Sequence, residues 1–192
     1  MKKIILFFLL TILTSCHCVE THLTKEEKEW FSAYEKGQSI IFKSNKGTLD
    51  TLIVTEKVET FGNKDCNWFE IGTIQNNMLI INFKSKTRLS EANCEGIISI
   101  SKDKPDEKEI PFIRLFGLEF APKAEHSLLK KKSIKLFMTK IDYKSAYFFE
   151  DQINSNSYGS NYLKSFYWDK KDGLIQYVLH DGETFELLKK IN

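Results

Sequence analysis

The stretch Phe166-Tyr167-Trp168-Asp169-Lys170-Lys171-Asp172-Gly173-Leu174-Ile175, running on to Asp181-Gly182-Glu183, decides the fold. Two Asp-Gly pairs stand between apolar and aromatic runs, and glycine enters the positive-φ backbone of a tight hairpin turn without the steric cost of a Cβ. The flanking runs, Tyr162 to Asp169, Leu174 to His180 and Glu183 to Lys189, are short and rich in aromatic and branched residues. They predict three antiparallel strands joined by tight turns.

Outward from this meander the same idiom repeats. Ile134 to Ile141 and Tyr143 to Glu150 precede it as strands, with Lys130-Lys131-Lys132 read as a solvated turn ahead of them. Nearer the start, Gln38 to Lys43 and Leu49 to Val58 flank Ser44-Asn45-Lys46-Gly47 and predict a hairpin, with Leu52, Val54 and Val58 alternating. Cys66 to Ile74 and Met78 to Lys84, on either side of Gln75-Asn76-Asn77, predict another. Cys94 to Ser101 and a long run from Ile110 to Phe120 complete the set. Arg114 falls in phase with Ile110, Phe112, Phe116 and Phe120, and a charge on an apolar face needs a carboxylate partner or a place at the sheet edge. About ten strands are more than one flat sheet holds without curling or splitting. The expected fold class is therefore mainly β: an antiparallel meander forming a curved sheet, half-barrel or barrel.

One N-terminal helix is signposted. Thr24 is placed to cap it, Glu27 stands three residues on in the capping-box position, and Gly37 supplies the stop. Leu23, Trp30, Phe31 and Tyr34 form an apolar face that is expected to pack on the sheet.

The chain begins with Lys2 and Lys3, an apolar run from Ile4 to Leu13, then Thr14-Ser15-Cys16. A basic start, a short apolar core and small residues before a cleavage point describe a secretory signal. The run is about half the ~20 apolar residues that a spanning helix needs. Leu13-Thr14-Ser15-Cys16 resembles the bacterial lipobox, in which the cysteine is lipidated and becomes the new N-terminus. The segment from Phe166 to Glu183 is likewise similar to the closing hairpins of small bacterial lipoproteins of uncharacterised activity, which implies fold kinship alone. The resemblance implies lipidation at Cys16 and a place in the bacterial cell envelope, lipid-anchored, with the outer membrane favoured because His17 is not the Asp associated with inner-membrane retention. Cys18 competes as the lipid site, but His17 before it is too bulky for the pattern. The expected organisation is a signal peptide over 1–15, a lipidated tether over 16–22 and a single β-rich domain over 23–192.

Of the 4 cysteines, lipidation of Cys16 leaves Cys18, Cys66 and Cys94. An exported compartment lets disulfides persist. Cys66 and Cys94 both begin expected strands while Cys18 lies in the expected tether, so Cys66 with Cys94 is the favoured pair, against the other pairings and against buried free thiols.

The sequence holds little that carries chemistry. No Gly-Xaa-Ser-Xaa-Gly elbow, His-Glu-Xaa-Xaa-His helix or Gly-rich phosphate loop is present, and no cofactor or metal is expected. Within the expected domain beyond the helix only His126 and His180 occur, and His180 reads as a hairpin-flanking residue. Glu150 and Asp151 are adjacent and point to opposite faces of a strand, which argues against a shared acid–base site. Asp50-Thr51-Leu52 resembles a short O-glycosylation sequon of some exported bacterial proteins. The whole chain has 28 basic and 26 acidic residues, and losing Lys2 and Lys3 with the signal leaves the two signs balanced. Such a body lacks the basic stripe of a nucleic-acid binder, so the expected partners are the membrane through Cys16, an envelope protein or a hydrophobic ligand. Of three competing functions the one expected is a non-catalytic interaction or accessory module; the alternative is a carrier of a lipid or other hydrophobic ligand in a sheet cavity, and the third is an enzyme whose site the sequence does not reveal.

Overall fold

In the computed structural model, residues 18–66, 72–87, 95–116, 118–120, 129–150 and 162–192 are described below. The strands are β1 (Val19–Glu20), β2 (Ser39–Ser44), β3 (Leu49–Phe61), β4 (Ile74–Gln75), β5 (Asn77–Ser85), β6 (Glu95–Lys102), β7 (Phe112–Leu115), β8 (Leu118–Phe120), β9 (Lys131–Lys135), β10 (Asp142–Glu150), β11 (Leu163–Asp169), β12 (Gly173–Leu179) and β13 (Thr184–Ile191). Eleven of them form one antiparallel sheet in the order β8-β7-β6-β5-β3-β2-β13-β12-β11-β10-β9. Two meanders, β2 to β8 and β9 to β13, are thus sewn together where the last strand pairs with β2, Ser39 facing Ile191.

The sheet curls around its main core without closing into a barrel, and a second, smaller cluster holds Leu136, Tyr143, Ala146 and Ile175. Phe116, at the end of β7, lies 5.2 Å from the Tyr177 ring on β12. Those strands stand far apart in the sheet order, so only curvature brings them together. Alternation sets the inner face: Ile40 and Phe42, Leu52 and Val54, Leu79, Ile81 and Phe83, and Ile98 and Ile100 all point inward. The expected hairpin of β2 and β3 and the C-terminal meander are both present, with Gly173 at φ 73° and Gly182 at φ 83° in the predicted turns.

The predicted helix fills the hollow. It is short, α1 (Lys25–Lys28) followed by a 3₁₀ turn over Glu29–Phe31, and its capping box is complete: the Glu27 N–H donates to Thr24 Oγ1 at 3.2 Å and the Thr24 N–H to Glu27 Oε2 at 2.7 Å. Leu23, Trp30, Phe31 and Tyr34 are all buried, and burying a side chain of this size contributes about 2 kcal/mol. Tyr34 is the plug. Its ring meets Phe83 from one meander at 5.0 Å and Trp168 from the other at 5.6 Å, and its hydroxyl accepts from the Leu174 N–H at 2.6 Å. A Cβ at Gly173 would stand 2.1 Å from that hydroxyl, so this turn needs glycine for space as well as for its positive φ.

Several expectations are corrected. The run from Ile110 to Phe120 is two strands, because Phe116 turns at φ 51° and folds β8 back on β7. Ile113 and Leu115 face the core, which puts Arg114 outside, in register with Glu119 across the pair. The partner of β5 is β3, not a strand starting at Cys66; that cysteine sits in a turn at φ 54°. Val58 points outward because a bulge between Val54 and Glu56 reverses the phase of β3. Lys131 and Lys132 belong to the edge strand β9 rather than to a turn, with their ammonium groups over the rings of Tyr147 and Phe148. Lysines on an edge discourage pairing with another chain.

Candidate functional site

The expected tether is stitched into the body. Cys18 is disulfide-bonded to Cys66 with their α-carbons 5.8 Å apart, so Cys66 is not paired with Cys94, which lies outside the described residues, as does Cys16. Right after the bond, β1 pairs in parallel with β4, Val19 opposite Ile74 and Glu20 opposite Gln75. The Val19 N–H donates to Thr73 O at 2.8 Å and the Thr21 N–H to Gln75 O at 3.0 Å. Thr21 is buried, its hydroxyl donating to Lys102 O and accepting from the Asn77 N–H, and the Leu23 N–H donates to Asn77 Oδ1 at 3.0 Å. The N–H groups of Val19, Thr21 and Leu23 thus all find acceptors in the body, which fixes the chain from Cys18 onward. Val19 and Ile74 themselves stay exposed, 53% and 39%.

Beneath this end lies a buried ion pair. Lys102 Nζ meets Glu27 Oε1 at 2.9 Å with both side chains 2% exposed or less, and also donates to Glu107 O. Burial alone would raise the Glu27 carboxyl, but the N–H groups of Glu109 and Thr24, the Lys102 ammonium and the Thr24 hydroxyl outweigh it and hold the group at about 2. The capping residue of the helix thereby also ties down the loop that follows β6.

A groove of about 230 Å³ opens beside the helix, between the segment before β7 and the strands β9 and β10. Its floor is Trp30 and Tyr147, whose rings lie 4.4 Å apart, with Ile110 and Leu129. Its rim is charged: Lys108 bonds Glu26 at 2.7 Å, and Lys170 lies 3.3 Å from Glu29 and 3.7 Å from Glu26. The Lys108 hydrogen bond keeps the Glu26 carboxyl below its ordinary range, and burial, reinforced by Asp103, raises that of Glu109. An apolar floor beside the paired charges of Glu26, Lys108 and Lys170, with Glu109 and Lys131 also on the rim, is suited to contact with a surface. The groove is smaller than the ~300 Å³ at which small-molecule sites begin.

The remaining candidates stay apart. His180 flanks the Asp181-Gly182 turn, its N–H donating to Tyr162 O at 3.0 Å. His126 and Asp151 lie outside the described residues, and Glu150 is exposed at the end of β10. Asp50 is buried, accepting from Ser85 Oγ at 2.7 Å and Tyr177 Oη at 2.5 Å, and Thr51 is paired with Ile41 within the sheet, so the sequon-like triplet is part of a strand. Among the described residues no three His, Cys, Asp or Glu side chains cluster as metal ligands, and no helix is long and apolar enough to cross a membrane. The reading of residues alone leaves Cys18 with Cys66 among the pairings not favoured and misses Lys102 and the groove: the partners of Cys18 and Lys102 lie 48 positions or more away, and no local periodicity marks such pairs. No family model, curated protein or solved structure matches the chain.

Proposed function

We propose that this is a lipid-anchored protein of the bacterial cell envelope, acylated at Cys16, whose β body serves as a non-catalytic interaction or accessory module. The observation that carries the proposal is the Cys18–Cys66 disulfide. Such bonds persist in oxidising compartments, which agrees with an export signal and is independent of it. The outer membrane is the favoured location, on the lipobox reading that His17 follows the acylated residue. The groove between Trp30 and Tyr147 supplies a contact face for an envelope partner. Carriage of a hydrophobic ligand is disfavoured by the filling of the sheet's inner face with Trp30, Phe31, Tyr34, Trp168 and Tyr177, all buried.

The test is made on the full chain produced in a bacterium that processes lipoproteins. The mature protein is expected to begin at Cys16 by intact mass with the added mass of acyl chains, and to enter the detergent phase on phase separation. Cys16→Ala is expected to abolish the acyl mass. A wild-type product without acyl mass overturns the anchor, and copurified lipid in stoichiometric amount overturns the choice of an interaction module over a carrier.

A further inference from the structure

Resting on the acylation of Cys16 proposed above, we infer that the Cys18–Cys66 disulfide and the β1–β4 pair form a rigid mount that seats one end of the body, with the exposed Val19 and Ile74, directly on the lipid headgroups. The first observation is length. Cys16 and Cys18 are two positions apart, so their α-carbons can be no more than ~7 Å from each other in any conformation. An acyl-cysteine whose chains lie in the bilayer therefore brings Cys18 to the headgroup layer, and Cys18 is covalently part of the folded body.

The second observation is what surrounds that point. Val19 and Ile74 are paired neighbours, both exposed, and His22 packs edge-on against Phe61 at 5.6 Å beside them. An apolar pair within reach of an acylated terminus adds contact area where the interface already is, and lipid binding grows with buried apolar area. The third is direction. β3 runs on past its pairing with β2, which ends at Ser39 opposite Ile53, and stays paired with β5 to Phe61 opposite Asn77. The mount thus sits at the end of β3, β5 and β6 to which β3 runs on after its pairing with β2 has stopped. The Ser44–Gly47 turn stands at the other end of β3, up to ~40 Å away along the strand at about 3.3 Å per residue. A flexible tether would let every face of the body meet the membrane, whereas this mount presents one.

The experiment uses the full-length acylated protein in vesicles of phosphatidylethanolamine and phosphatidylglycerol doped with a diazirine-bearing phospholipid, with crosslinked residues located by mass spectrometry. Intact mass is read first; absence of acyl chains on Cys16 sinks the anchor and this mount with it. With Cys16 acylated, crosslinks are expected on residues 18–22 and 72–76 at about tenfold or more the level on 44–47. Inserting ten Gly/Ser residues between His17 and Cys18 leaves every contact of the body intact, and it is expected to keep the thermal midpoint while reducing the 18–22 and 72–76 signal to the level at 44–47. An acylated wild type crosslinked evenly over both ends, or an insertion variant with an unchanged pattern, overturns the mount and leaves the anchor standing.

Discussion

Replacing Glu27 by Gln tests whether a single carboxylate joins the helix to the sheet. The folded-state value of about 2 against an ordinary 4.5 corresponds, at 1.36 kcal/mol for each pH unit, to about 3 kcal/mol of stability held by the charged form. Because the folded value lies below the unfolded one, this contribution is complete above about pH 5 and fades as pH falls toward 2. The side-chain amide of Glu27→Gln would keep an acceptor for the Glu109 N–H but leave Lys102 as an uncompensated charge in a site 2% exposed. Breaking a buried pair in this way costs about 3–5 kcal/mol. Urea unfolding followed by tryptophan fluorescence at pH 7 is expected to show a loss of that size, and the gap between parent and variant should narrow as both are titrated from about pH 6 to about pH 2.5, the range over which the unfolded chain takes up a proton at this carboxylate while the folded one keeps its charge. Adding Lys102→Met to Glu27→Gln is expected to recover part of the loss, since the orphaned charge is gone. A variant within about 1 kcal/mol of the parent at pH 7, or a gap that does not change with pH, would refute the reasoning.

Other perturbations probe separate joints of the structure. Cys18→Ser with Cys66→Ser opens a loop spanning 48 positions, for which the chain-entropy model gives about 4 kcal/mol; the loss should appear in equilibrium unfolding and be reproduced by reducing the parent. Gly173→Ala places a Cβ on the Tyr34 hydroxyl in a left-handed backbone, and a drop of about 3 kcal/mol is expected from strain and overpacking together. Tyr34→Phe removes only the acceptor of the Leu174 N–H, so it should cost about 1–3 kcal/mol and speed amide exchange at Leu174. Glu186, buried on β13, accepts from the N–H groups of Phe137 and Met138 at 2.9 and 3.0 Å; Glu186→Ala is expected to speed exchange at those two amides while leaving β2 and β3 protected.

What the sequence shows plainly is whatever is encoded within a few neighbours. The Asp-Gly turns, the Thr24–Glu27 capping box and the alternation of β2 and β5 are local, and each appears where its pattern predicts. Breaks in pattern are not visible in this way. Phe116 at positive φ and the bulge after Val54 are backbone irregularities in runs that read as continuous, and each interrupts the alternation of faces that the sequence alone extends through it. Partner choice across the fold is also hidden. Cys66 and Cys94 look equivalent in sequence, and what decides for Cys18 is the parallel pairing of Val19 with Ile74, in strands of two residues that are too short to leave a signal. Glu27 is legible as a cap but not as the counter-ion of Lys102, because the two roles use different oxygens of one carboxylate.

The pairing of β13 with β2 has a bearing on biogenesis. The final strand takes the position beside the first strand of the large sheet, and the rings of Trp168 and Tyr177 come from the last quarter of the chain. A nascent polypeptide emerging N-terminus first can assemble the β2 to β8 meander but lacks these rings to cover its inner surface until β11 and β12 have been made. Such a topology delays completion of the core, since contacts between distant segments form slowly.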